Sequence, residues 1–209
     1  VFVTFEGVEG SGKSTQMARL CAALERAGRT VCRTRQPGGC ALGQTLRAIL
    51  LSQKTAGLDD RAELFLYLAD RAQHVAEVIR PALAAGAVVV CDRYADSTVA
   101  YQGHGRGLDV ALLQQLNAVA TAGLVPDLTL LLDLDPAVGL TRATSRNAAA
   151  GTAEAEGRFE AERLEFHQRV RAGYRALAAG EPTRFAVVDA APAPDAVAEA
   201  VWGVVSKRL

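Results

Sequence analysis

The chain has no CxxC pair, no surplus charge of either sign and no apolar run near the length of a membrane span, and each absence narrows what it can be. Its four cysteines, Cys21, Cys32, Cys40 and Cys91, share no metal-ligand spacing with the three histidines, so they read as reduced thiols. Lys and Arg number 23 and Asp and Glu also number 23, so no overall field draws the protein to nucleic acid or to a membrane surface. Any bound anion must be met locally. No stretch reaches the roughly 18–20 apolar residues that cross a bilayer. The opening "VFVTF" reads as a strand, without the basic and long apolar segments of a secretory signal, so the cytoplasm is the default compartment. No repeat or linker divides the 209 residues, and we expect one domain.

What is present is a hydrophobic half, enough for a sizeable core. Short β-branched or leucine-rich runs recur at Val1–Glu6, Thr30–Thr34, Ala87–Asp92, Leu128–Leu134 and Arg184–Ala190. They are nearly continuous in hydrophobicity, as parallel strands covered on both faces are. Segments long enough for helical crossovers lie between them, among them Lys13–Ala27, Asp60–Arg80 closed by Pro81, and Leu108–Thr121. The expectation is an α/β three-layer sandwich with about five parallel strands. One stretch breaks the pattern: "RNAAAGTAEAEG", Arg146 to Gly157, is small and polar with no apolar stripe. It reads either as a solvated surface loop or as a flap over a site.

Gly7, Gly12, Lys13 and Ser14 form GxxxxGK[ST] between the first strand and the first helix. Glycines let backbone N–H groups turn inward around phosphate oxygens, and the helix N-terminus adds its positive end. Lys13 can reach the β- and γ-phosphates, and Ser14 can offer a hydroxyl to Mg²⁺. Gly10, Ser11 and Thr15 complete the stretch expected to touch ATP. No NKxD-like guanine signature follows the fourth strand, which argues against a GTPase, and a single domain leaves little room for a motor's transducing parts. The loop alone does not say who receives the phosphate. Arg35, Arg47 and Arg93 lie at strand ends or just beyond, where open α/β sheets bind ligands, and guanidinium groups suit a monophosphate. Tyr67 and Arg71 project from one helix face at i, i+4.

Four further stretches occur in order: "TRQPGG" from Thr34, "DRYADSTVAYQGHGRG" from Asp92, "PDLTLLLDLDP" from Pro126 and "GRFEAERLEFHQRV" from Gly157. Together with the phosphate loop they resemble the successive signatures of bacterial thymidylate kinases over nearly the whole chain. The resemblance implies a P-loop nucleoside monophosphate kinase that passes phosphate from ATP to dTMP with Mg²⁺, and a homodimer. It implies that Arg93 and Arg47 grip the dTMP phosphate with Arg35 beside them. Tyr67 would stack on thymine and Arg71 would bond its O4, with Thr98 and Gln102 at the pyrimidine edge. Tyr101 would crowd the 2′ position, Glu9 would accept from the 3′-hydroxyl, and Asp92 with Ser14 would arrange the metal. Gly10 and Ser11 stand where some relatives carry a catalytic arginine, so the cation is expected from a lid at about residues 142–160. Arg158 aligns with that lid arginine, Arg146 is a second candidate, and Arg142 would lie against adenine. Gln36, His104 and Gly157 depart from the usual glutamate, small residue and aspartate. A kinase for another nucleotide or a deoxynucleoside, and a P-loop protein without catalysis, remain the alternatives.

Overall fold

The computed structural model describes residues 1–209. Five parallel strands, β1 Phe2–Glu6, β2 Val31–Arg35, β3 Val88–Asp92, β4 Leu128–Asp133 and β5 Phe185–Asp189, form one sheet in the order β2-β3-β1-β4-β5. The expected strands are all there, within a residue or so at each end. β1 is central, and the chain reverses its direction of progress on either side of it. The ends of β1 and β3 therefore open onto the crevice where ligands of such sheets lie.

Side-chain alternation divides the layers. Val3, Phe5, Val88 and Val90 cluster with Met17, Leu20 and Leu24 of α1, Lys13–Arg26, and with Val197, Val201 and Val205 of α10, Pro194–Val205. Phe2, Val89 and Cys91 face the other way, onto Val75 and Ile79. Phe5 is wholly buried, and a cavity in its place would cost about 3–5 kcal/mol. The other helices are α2 Ala41–Leu51, α3 Asp60–His74, α4 Arg80–Ala84, α5 Ala95–Thr98, α6 Val110–Thr121, α7 Pro136–Ala150, α8 Ala153–Glu156 and α9 Leu164–Gly180. None is long and apolar enough to cross a membrane.

Two expectations need correction. Pro81 does not close the third helix: Val75–Ile79 widens into a π turn and α4 continues through Pro81. The wider turn absorbs the hydrogen bond that proline cannot make. Nor is Arg146–Gly157 an irregular loop. Its first five residues finish α7, whose alanines favour helix without any apolar stripe. Gly151, at φ 65°, ends that helix in the left-handed region, and α8 follows.

Candidate active site

The phosphate loop joins β1 to α1 with Gly12 left-handed at φ 89°, and no side chain caps the helix. Its first N–H groups are thus left for a ligand. Gly10, at φ 68°, lies against α7: a β-carbon there would sit 2.0 Å from the Gly139 carbonyl oxygen. Only backbone fits between loop and helix. Lys13 folds back over the loop, donating to the Gly7 and Val8 carbonyls at 3.0 and 2.9 Å and to Ser11 Oγ at 3.3 Å. Burial, then the Arg93 guanidinium, pushes the Lys13 ammonium down to about 8.

Beside the loop, Ser14 Oγ donates to Asp92 Oδ2 at 3.2 Å, while Asp92 Oδ1 is buried without a partner. A hydroxyl and an unsatisfied carboxylate oxygen make a hard oxygen donor set. This fits Mg²⁺, which binds through one or two carboxylates with substrate phosphates and water.

Arg93 follows β3 with φ 69°, an unfavourable backbone for a non-glycine residue, which turns its side chain back onto the loop. Its guanidinium donates to the Gly7 carbonyl at 3.0 Å, Tyr174 Oη at 3.1 Å and Glu9 Oε1 at 3.0 Å, and lies 4.9 Å from the centre of the Tyr101 ring. The Tyr101 hydroxyl also donates to Glu9 Oε1, at 2.5 Å. Burial pushes the Glu9 carboxyl up, but His167, Arg93 and Lys13 outweigh it and hold it well below the usual carboxylate range. Glu6, fully buried at the end of β1, accepts from Tyr94 N–H, the Ser97 hydroxyl and the Tyr174 hydroxyl, and so fixes the turn that carries Arg93.

A second group faces the loop across the cleft. Arg47, on α2, donates to the Pro37 carbonyl at 3.2 Å and to Glu156 Oε1 at 3.1 Å. Arg71 is 2% exposed; it donates to Gln36 Oε1, Thr98 Oγ1, Asn117 Oδ1 and the Tyr94 carbonyl at 2.7–3.0 Å. Four of its five N–H groups are thus committed. Loop and second group line a single cavity of about 380 Å³.

That cavity brings together Glu9, Gly10, Gly12, Lys13, Ser14, Thr15, Arg35, Arg47, Tyr67, Arg71, Asp92, Arg93, Thr98, Tyr101 and Gln102. Gly7 and Ser11 support it from behind through Lys13. Two expected residues stand elsewhere. Arg142 is exposed on α7, one turn beyond Gly139, with its nearest hydrogen bond to the Ala190 carbonyl at 3.4 Å. Arg158 is 5% exposed and turned away from the cleft, donating to Glu63 Oε2 at 2.5 Å and the Leu50 carbonyl at 3.0 Å. A buried carboxylate draws it inward. Arg146, on α7, does line the cleft, held by Asn147 Oδ1 at 2.9 Å and 3.5 Å from Glu160.

Each departure from the resembling family has a local reason. Gln36 accepts from Arg71 and donates through Nε2 to His74 Nδ1, whose Nε2 in turn meets Thr34 Oγ1. His104 packs its ring against Gly173 of α9, and at Gly157 a β-carbon would lie 2.2 Å from the Ala153 carbonyl oxygen. Sequence reasoning missed Glu63, Gly139, Phe159, Glu156 and Glu160. Glu63 left a signal, since it precedes Tyr67 by four residues on the face of α3 that also carries Arg71; Glu156 lies in the stretch expected as a loop or flap, and Phe159 and Glu160 lie in "GRFEAERLEFHQRV", so Gly139 alone left none.

Comparison with known proteins agrees with this geometry. A sequence model of the family described as "Thymidylate kinase" matches residues 5–201. A protein of Solidesulfovibrio magneticus named thymidylate kinase is 90% identical over the full length of both chains. One of Desulfovibrio desulfuricans is 62% identical over 94% of this chain and 91% of its own. A crystal structure of thymidylate kinase from Ehrlichia chaffeensis superposes with a TM-score of 0.80 at 32% identity, covering 98% of each chain.

Proposed function

The chain belongs to the thymidylate kinase family and phosphorylates dTMP to dTDP with ATP, and from that premise we propose how its cleft divides the work. The observation that carries this reading is the single cavity in which the phosphate loop faces a separate basic and aromatic subsite. The triphosphate lies on the loop, with Lys13 released from the Gly7 and Val8 carbonyls to its β- and γ-oxygens. Ser14 and Asp92 would hold Mg²⁺ there, and the ion would supply screening of the phosphate charge.

The acceptor lies opposite. Arg47 and Arg93, with Arg35 beside them, hold the dTMP phosphate; Tyr67 stacks on the base, and Arg71 gives its spare N–H to O4. Thr98 and Gln102 line the pyrimidine edge. Tyr101, held to Glu9, walls the 2′ side of the sugar, and Glu9 serves the 3′-hydroxyl. A phosphate oxygen of dTMP attacks the γ-phosphorus, forming one P–O bond as the bond to ADP breaks. The attacking oxygen is already anionic, so no side chain is needed as base. Catalysis consists of alignment and charge stabilisation.

The lid cation is assigned to Arg146 rather than Arg158, because Arg146 faces the cleft and Arg158 is committed to Glu63. Closure of the lid over both substrates excludes water and suppresses idle ATP hydrolysis. Four free thiols suit the cytoplasm. Exposed Phe65 on α3 and Leu112 and Val119 on the adjoining α6 suit a homodimer.

The test is ADP release with ATP, with and without Mg²⁺, comparing dTMP, dUMP, dCMP, AMP, thymidine and no acceptor. We expect Mg²⁺-dependent release with dTMP and at most weak release with dUMP. Equal release without acceptor, or a preference for another acceptor, would overturn the division of the cleft.

A further inference from the structure

Gln102 lies in the π turn Val99–Gly105, 2% exposed, and donates through Nε2 to Glu63 Oε1 at 2.7 Å. Glu63 is fully buried. Its Oε2 takes Nη2 of Arg158 at 2.5 Å and Nη2 of Arg106 at 3.3 Å, and Arg106 Nε lies 3.5 Å from Oε1. Both carboxylate oxygens are therefore occupied as acceptors. A reversed Gln102 amide would set oxygen against oxygen, with no donor to relieve it. Its Oε1 makes no hydrogen bond within the protein and is not among the buried atoms left without a partner, so it reaches the cleft that Gln102 lines.

Next to it Arg71 has spent all but one of its N–H groups, that one on Nη2. The wall thus offers the spare Arg71 donor together with the Gln102 oxygen, a spare acceptor, and the second Nε2 hydrogen of Gln102, which Glu63 does not take. Thymine and uracil present the complement, an O4 acceptor and an N3–H donor. Cytosine presents the opposite at both atoms, an amino donor and a bare N3.

We infer that Glu63 is a positioning residue that fixes the hydrogen-bond sense of Gln102, so that the subsite selects a pyrimidine carrying a proton on N3. This rests on the placement of the dTMP base against Gln102 proposed above. Glu63 never touches the substrate. It acts through the amide that does.

The experiment compares kcat/KM for dTMP and dCMP in the wild type, Glu63→Gln and Gln102→Leu. In Glu63→Gln the new amide can pair with Gln102 in either sense, so the dTMP to dCMP ratio should fall about tenfold or more. Equal losses for both substrates would mean that Glu63 only anchors the lid through Arg158, and would overturn the inference. Gln102→Leu separates the two layers. If its ratio falls while that of Glu63→Gln does not, Glu63 is not what orients the amide. If its ratio is unchanged, the base does not meet Gln102, and both the inference and the acceptor reading fail. A measurement on the wild type guards against a variant that does not fold: the one Gln102 side-chain amide proton given to Glu63, assigned by its loss in Gln102→Leu or by selective labelling, should exchange slowly with water in the free enzyme. Rapid exchange would overturn the bond to Glu63.

Discussion

Lys13 carries a charge that the site itself destabilises. Burial and Arg93 bring its ammonium from 10.5 to about 8, and a bound triphosphate restores the favourable charge environment. ATP should therefore bind with uptake of a proton above about pH 8, its affinity falling up to about tenfold per pH unit toward 10.5. Calorimetric titrations in buffers of different ionisation enthalpy measure that proton directly, and Lys13→Met should abolish it along with most of the affinity. His74 works in the acid range. Burial, and after it the nearby Arg71 guanidinium, lowers its imidazole from 6.5 to about 4, and Nδ1 accepts from Gln36. The unfolded chain binds that proton first, so stability is lost as pH falls from 6.5 to about 4, by about 3 kcal/mol at most. Urea unfolding at several pH values measures the slope, and His74→Asn should flatten it in that window. Gln36 stands where the resembling family has glutamate, and its amide is what lets a neutral histidine accept there.

At the scale of elements, the segment of about residues 142–160 that we propose as the lid is stitched to α2, to the short turn after it and to α3 by Arg47 to Glu156, Lys54 to Glu154 and Arg158 to Glu63. Arg146 faces the cleft and Arg158 faces Glu63, and kinetics can test the division of work proposed for them. Arg146→Ala should lower kcat about 10²–10³-fold with the KM for dTMP little changed, as loss of a transition-state cation does. Arg158→Ala should lower the melting temperature by several degrees instead, since it removes the shortest contact of the buried Glu63 carboxylate and leaves it only Arg106 and Gln102. A severe kcat loss confined to Arg158→Ala would return the catalytic cation to that residue. Sequence could not separate these two arginines. Which one turns inward depends on a carboxylate nearly a hundred residues away, and no local pattern records that partner. The lid's helices were hidden for a related reason: alanine-rich turns that pack one edge on a cleft show no apolar stripe. The strands were legible because burial on both faces leaves an unbroken hydrophobic run.

Over the whole molecule, the phosphate loop and the sheet's ligand-binding edge were readable from glycine spacing and the positions of the strand ends, while the cleft's polar scaffold was not. Glu6, Glu63 and Gly139 matter through contacts that only the assembled fold creates. Self-association belongs to this scale too. Phe65 is 60% exposed and Val119 79% exposed on adjoining helices, an apolar surface that a second copy would cover. Light scattering should report twice the chain mass of 22.0 kDa, and Phe65→Glu should yield the monomer. Finally, the carboxylate of Glu156 already sits on Arg47 in the free protein. Arrival of dTMP is then an ion exchange, one anion displacing another from a resin that is never bare. Added salt weakens the outgoing pair as well as the incoming one, so dTMP affinity should vary little with ionic strength. In Glu156→Gln it should become both tighter at low salt and steeply salt-dependent, which equilibrium binding across a salt series would measure.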